Sequence, residues 1–238
     1  MMAQLVRKGK TKDVFRLEGD PTKLVLAFKD DVTGHADGTI DPGANQVIAK
    51  SAGQGNACLR MTTHFYEKLN AQMRTHFISS NLSDNTMVVT ACKPYGPGIE
   101  VLIRYVSTGS WMRRFEKYGA KEGQALIDCV EFSIKDDDGG DPIVSDTVLI
   151  NLGIATATQL DEMRKKALVV GSLVRQEMAE KNLTLYDIKI EFGQDGDGNM
   201  VLIDEIGPGS MRAYQGDTQV KGISLSQLFF GINITFNF

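Results

Sequence analysis

The chain has 238 residues, 42% of them hydrophobic and 24% charged, and its 26 Lys and Arg against 30 Asp and Glu leave a net charge of −4. This is the ordinary globular mix, able to bury roughly 70–75% of its unfolded surface as one large domain or two intimate lobes. Without a clustered basic excess it is not expected to bind nucleic acid or a membrane surface. Cys58, Cys92 and Cys129 are odd in number and far apart. No disulfide framework or CxxC metal pair is expected, and a reducing cytoplasm is the expected location. His35, His64 and His76 lack zinc-ligand spacing and are expected to be surface or loop residues. The opening MMAQLVRKGK lacks the apolar core of a signal peptide, and no apolar run reaches membrane-spanning length.

In chain order, the stretch from Leu5 to Asp31 reads as three strands broken by RKGKTK and EGDPTK. Asp31 to Gly55 is rich in Gly, Asp, Asn and Thr, and reads as a long functional loop. Leu59 to Leu69 has a helical beat, and Thr86 to Ala91 reads as a strand. Pro94 to Gly98, PYGPG, continues neither element and marks a hinge, dividing residues 1–93 from residues 94–238. Beyond it, IEVLIRYV reads as a strand and SWMRRFEKYG as a short helix begun by Ser110 and ended by Gly119. VEFSIK is a strand, KDDDGGDPIVSD a loop, and Gln159 to Asn182 a helix with one apolar stripe. The tail LFFGINITF fits either a core strand or a homo-oligomer contact.

LYDIKIEFGQDGDGNMVLIDEIGPGSMRAY has a period of two. Tyr186, Ile188, Ile190 and Phe192 fall on one face of a strand, Asp187, Lys189 and Glu191 on the other. Gly193 to Asn199 is turn chemistry and MVLIDEI the return strand of an antiparallel hairpin. In one register Asp204 sits across from Lys189 and diagonal to Glu191. Such a charged row is ordinarily a solvated face. The alternative is a cation site, since Mg²⁺ is commonly held by one or two carboxylates together with substrate phosphates.

RKGKTKDVF is the complementary stretch. Gly9 in a tight turn lets backbone N–H groups approach an anion, and Lys10 and Lys12 supply positive charge. It is not a P-loop, and no helix follows to add its dipole. With the acidic hairpin it suggests an ATP·Mg²⁺ site between two lobes.

GKTKDVF, IRYVSTGSWMRR, FSIKDDDGGDPIVSD, DIKIEFG and DEIGPGSMRAY, in this order and spacing, resemble the SAICAR synthase (phosphoribosylaminoimidazole-succinocarboxamide synthase) family of purine biosynthesis, nearly to Tyr214. The resemblance implies an α+β fold with a small antiparallel-sheet ATP lobe on a larger α+β lobe, the nucleotide in the cleft. It implies an ATP- and Mg²⁺-dependent ligase joining a carboxyaminoimidazole ribonucleotide to L-aspartate. Residue by residue, it implies Gly9, Lys10, Lys12, Val14 and Lys135 at the nucleotide and Glu191 and Asp204 at the metal. Asp187, Lys189 and Arg212 are implied at the reacting centre. Asp37, Arg104, Ser110, Arg212 and Lys221 are implied at the substrates. The chain departs from the family at Gly207-Pro208-Gly209, at Ala213-Tyr214-Gln215, after Asp37, and in VKGISLSQLFFGINITFNF, where Lys221 alone stands for the usual basic helix. Two alternatives follow: a paralogous amide ligase for another carboxylate or amine, and a non-catalytic nucleotide-binding protein.

Overall fold

A computed structural model describes residues 4–17, 19–42, 44 and 46–232, the side chain of Asp128 excepted. The chain opens with strands β1 (Gln4–Lys8), β2 (Lys12–Leu17), β3 (Asp20–Phe28), β4 (Asp31–Gly34) and β5 (Gln46–Lys50), then helix α1 (Gln54–Leu69). Strands β6 (Phe77–Asn81), β7 (Thr86–Thr90), β8 (Lys93–Pro94) and β9 (Ile99–Val106) lead to α2 (Ser110–Phe115). Then come β10 (Ala125–Ile134), β11 (Ile143–Val144), α3 (Asp146–Asn151) and α4 (Ala157–Ala179). The chain closes with β12 (Thr184–Gln194), β13 (Met200–Ile203), β14 (Met211–Gln215), β15 (Thr218–Val220) and α5 (Gly222–Phe230).

The fold is α+β. A five-stranded antiparallel sheet runs β1-β2-β3-β7-β6, and a larger one runs β11-β10-β9-β12-β14-β15, with β13 and β8 also paired to β12. Strand β12 organises the larger sheet because its eleven residues are long enough to pair at both ends and on both sides. One face of that sheet is apolar: Val101, Ile103, Phe132, Ile188, Ile190 and Phe192 are all at most 1% exposed. Helix α4 lies against it with Leu160, Met163, Ala167, Val170, Val174 and Met178 buried, each large side chain stabilising the fold by about 1.5–3 kcal/mol. Thr156 starts the helix with a capping box, its hydroxyl accepting from the Gln159 N–H while the Gln159 side chain accepts from the Thr156 N–H.

Several expectations are corrected. The segment 31–55 is not structureless: Asp31–Gly34 pairs with Gln46–Lys50, and α1 begins at Gln54, one turn before its apolar beat starts. Residues Leu228–Phe230 of the tail close helix α5 rather than forming a strand, and Phe229 packs against Phe65 and His64. Residues 233–238 of that expectation lie outside the described residues. His76 is buried at 4% exposure, because the tilted Tyr66 ring packs against it and its own ring reaches the Asp204 carbonyl.

The hairpin register also differs. Glu191 pairs with Ile203 and Gly193 with Val201, so Asp204 lies beyond the paired strand and not across from Lys189. Asp195 sets this register: its carboxylate accepts from the backbone N–H groups of Asp197 and Asn199, tightening the loop. The charged row is not a solvated face either. Asp187 and Glu191 are 4% and 7% exposed, because Arg104 and Arg212 close over Asp187 and Lys135 over Glu191.

Candidate active site

Directly opposite residues on neighbouring strands share a face, and here that rule builds a layer of charge. Asp187 pairs with Arg104, Lys189 with Leu102 and Glu191 with Glu100. Ser133 pairs with Glu100 and Glu131 with Leu102, while Arg212 pairs with Asp187. The face opposite the apolar core is therefore lined by arginines, lysines and carboxylates in alternation.

At its centre Arg104 has a side chain with no exposure. It donates from Nε to Glu131 at 2.7 Å, from Nη1 to Asp187 at 3.1 Å, and from Nη2 to the Ser110 hydroxyl at 2.8 Å. Glu131 also accepts from Arg114 at 2.7 Å, and Asp187 from Arg212 at 2.7 Å. Gly109 at the foot of α2 has φ 56°, and a Cβ there would meet the Arg212 guanidinium at 2.8 Å, so glycine is what lets the arginine lie flat in the site. These groups border a cavity of about 400 Å³ lined by Ser110, Arg113, Arg114, Asp187, Lys189 and Arg212 among others. Lys189 enters it from below, held at 2.7 Å by Glu100, which Ser133 supports at 2.9 Å.

A second cluster adjoins the first where β12 meets the end of β13. Lys135 donates to Glu191 at 2.6 Å. Lys12 reaches from β2 of the smaller sheet to Glu205 at 2.8 Å and Asp204 at 3.1 Å. Asp204 sits at φ 70°, a left-handed conformation that Asp tolerates better than most side chains. Its carbonyl accepts from the Tyr66 hydroxyl at 3.0 Å and lies 3.2 Å from His76 Nε2. The lysine turn and the acidic hairpin thus meet directly. Glu191 and Asp204 oppose each other across Lys135, which interacts with both, and a divalent cation suits such a pair, as Mg²⁺ needs few protein carboxylates. Among the described residues no group of three or more His, Cys, Asp or Glu is placed to hold a metal alone.

The charge states follow from burial and neighbours. Burial, then Asp204, pushes Glu191 up to about 7. Burial pulls Asp204 the same way, but Lys12 and Lys135 outweigh it and hold that carboxyl well below the usual range; the two titrate as a pair. For Lys12, Lys135 and Lys189, burial favours the neutral amine, yet the facing carboxylates prevail and raise all three. The geometry makes Lys189 a charge partner of Glu100. Burial pushes Asp187 up against the pull of Arg212 and Arg104.

The Glu191 shift has a measurable sign. Its folded value of about 7 lies above its ordinary 4.5, so its contribution to stability is present below that ordinary value and is lost as pH rises to about 7. His76 opposes it: burial lowers that ring from 6.5 to about 4, a contribution that grows with pH through the same range. The stability difference between the protein and Glu191→Gln isolates the carboxyl. Urea unfolding should show that difference falling between about pH 5 and about pH 7, by at most about 1.4 kcal/mol per pH unit. A flat difference would contradict a proton held on this pair.

Of the residues singled out from the sequence, Asp187, Lys189, Arg212, Arg104 and Ser110 meet around the cavity, and Lys12, Lys135, Glu191 and Asp204 meet in the second cluster. Lys10 lies at the edge of the latter, 2.7 Å from Asp137. Val14 is a half-buried strand residue packed against the core. Gly9 does not offer its N–H to an anion, because that N–H donates to the Lys12 carbonyl at 2.9 Å; a Cβ at Gly9 would meet the same oxygen at 2.3 Å. Asp37 stands apart, exposed and accepting from the Thr39 N–H. Lys221 donates to the Ile40 carbonyl beside a second cavity of about 290 Å³, whose lining includes Thr11, Glu205 and Pro42 and which therefore adjoins both clusters. Asp41, Glu100, Glu131 and Glu205 were not singled out, though each holds a cation of the site.

The SAICAR synthetase family model matches residues 5–228. The chain is 44% identical over 226 residues to the phosphoribosylaminoimidazole-succinocarboxamide synthase of Clostridium tetani, covering 94% of this chain and 98% of that protein. A Type-2 SAICAR synthetase solved in complex with ADP superposes with a TM-score of 0.81 at 28% identity, over 97% of this chain and 99% of that one. The Type-1 SAICAR synthetase of Pyrococcus horikoshii superposes at 0.78 with 26% identity, over 94% and 100%.

Proposed function

The chain belongs to the SAICAR synthetase family of ATP-dependent ligases, and from that premise we propose that it joins a carboxyaminoimidazole ribonucleotide to L-aspartate, giving an amide, ADP and phosphate. A carboxylate does not take an amine directly, because its oxygen is a poor leaving group. The acceptor carboxylate attacks the γ-phosphorus and ADP departs; the amine then attacks the acyl phosphate, loses a proton, and phosphate leaves. Catalysis of such a transfer is mostly positioning and charge neutralisation.

The observation that carries the reading is the contact of Lys12 with Asp204 and Glu205, which joins a cationic turn to an acidic strand end. In this reading residues 1–93 form the nucleotide lobe and residues 94–238 the acceptor lobe. Lys12, Lys135 and Lys10 neutralise the triphosphate. Glu191 and Asp204 are the residues that would hold Mg²⁺, which when bound offsets charge on the phosphate oxygens. Lys189 holds the reacting carboxylate, and Arg104, Ser110, Asp187 and Arg212 orient the ribonucleotide, with the fork of Arg212 suited to an anionic group.

Incubation with ATP, Mg²⁺, the carboxyaminoimidazole ribonucleotide and a panel of amines should yield ADP and, with aspartate alone, an amide detected by mass. An amide with a different amine would favour a paralogous ligase, and tight ATP binding without turnover a binding protein. Arg212→Ala should raise the acceptor KM or lower kcat about 10²-fold, near 3 kcal/mol, with ATP binding unchanged. Unaltered acceptor kinetics would remove Arg212 from the site.

A further inference from the structure

Arg212 divides its guanidinium between two carboxylates. Nη1 donates to Asp187 at 2.7 Å and Nη2 to Asp41 at 2.5 Å. Asp187 is fixed by strand β12 and shared with Arg104. Asp41 comes from the segment between β4 and β5, where its N–H donates to the Thr33 carbonyl and its own carbonyl accepts from the Thr33 hydroxyl and the Ala44 N–H, and it is followed by Pro42 at the rim of the 400 Å³ cavity. Its second oxygen lies 3.0 Å from His35 Nε2 and 3.8 Å from Arg113. Both Arg113 and Arg212 line the cavity, so this one carboxylate draws on two of the cations that an entering anion would use.

We propose that Asp41 is a specificity-determining residue: an internal counter-ion that occupies the anion position on Arg212 and Arg113 and yields it only to a sugar phosphate. The inference rests on reading this cavity as the ribonucleotide site. A single carboxylate offers one negative charge, and a sugar carboxylate competing for the same fork gains nothing by exchange. A phosphate monoester brings up to two charges and three acceptor oxygens, enough to bridge both arginines. Displacement of the Asp41 side chain therefore favours phosphate over carboxylate. Like charges held at one cation oppose each other, so removing the Asp41 charge should relax the discrimination.

The test compares the full chain with Asp41→Asn and Asp41→Glu by calorimetric titration against ribose 5-phosphate and glucuronate, with ATP binding as the check on folding. Asp41→Asn should bind ribose 5-phosphate about tenfold more tightly and gain measurable binding of glucuronate, whereas Asp41→Glu should keep the original preference. Equal or weaker sugar-phosphate binding by Asp41→Asn, or an unchanged preference, would overturn the inference while leaving the acceptor site in place. If no form of the protein binds ribose 5-phosphate although each binds ATP, the ribonucleotide reading falls and this inference with it.

Discussion

Glu191→Gln should lower ATP turnover by about 10³-fold or more, near 4 kcal/mol of transition-state stabilisation, while changing the folding stability little at neutral pH. The two effects separate because of where the carboxyl sits. Its volume is matched by glutamine, and burial beside Asp204 already pushes Glu191 up to about 7. The folded protein therefore does not depend on a full charge there. Lys135 keeps a neutral acceptor in the glutamine amide oxygen where it now makes its 2.6 Å contact, and Asp204 nearby remains a cause of its raised value. In the proposed mechanism ATP turnover depends on that charge, because a neutral amide oxygen holds a divalent cation more weakly than a carboxylate does. Asp204→Asn should lose turnover equally. Initial-rate assays together with urea unfolding test both halves, and normal turnover in either variant would remove these acids from the mechanism.

Arg104→Ala should have the largest effect on stability, about 3 kcal/mol. Its side chain has no exposure and satisfies Glu131, Asp187 and Ser110 at once. Truncation leaves two buried carboxylates short of a partner, and the cost is their desolvation more than the lost attraction. It stays at the lower end of the range for a broken buried pair because Arg114 still holds Glu131 and Arg212 still holds Asp187. Arg104→Lys should not rescue it, since an ammonium cannot reach three acceptors in the plane of the guanidinium. Acceptor binding should fall with stability. A loss under about 1 kcal/mol in denaturant unfolding would show that the layer relaxes around the gap.

The strand bearing Asp187, Lys189 and Glu191 was legible in the sequence because its period of two is independent of everything around it. The partners were not, since a partner depends on register, and register depends on loops. Glu100 and Arg104 show the difference: they alternate on β9 with the same period, and applying the β12 rule there would have found the Glu100–Lys189 pair. Asp41 offered no period at all. It lies in a segment rich in turn residues, and only the chain's return toward Arg212 gives it a role, whereas the nearby Asp37, chosen by motif position, faces solvent. The long helix was read within three residues at either end, Gln159 to Asn182 against Ala157–Ala179. Helices α3 and α5 were missed because six and nine residues are too few for a helical period to stand out; α2, equally short, was read from its boundary residues Ser110 and Gly119 instead.

The cationic turn and the acidic strand end are expected to hold one nucleotide between them. Diffraction from crystals grown with a non-hydrolysable ATP analogue and Mn²⁺, collected for anomalous scattering, tests this most directly. A manganese peak between Glu191 and Asp204, with the phosphates against Lys12, is the expected result. A nucleotide bound elsewhere, or manganese away from both carboxylates, would contradict it.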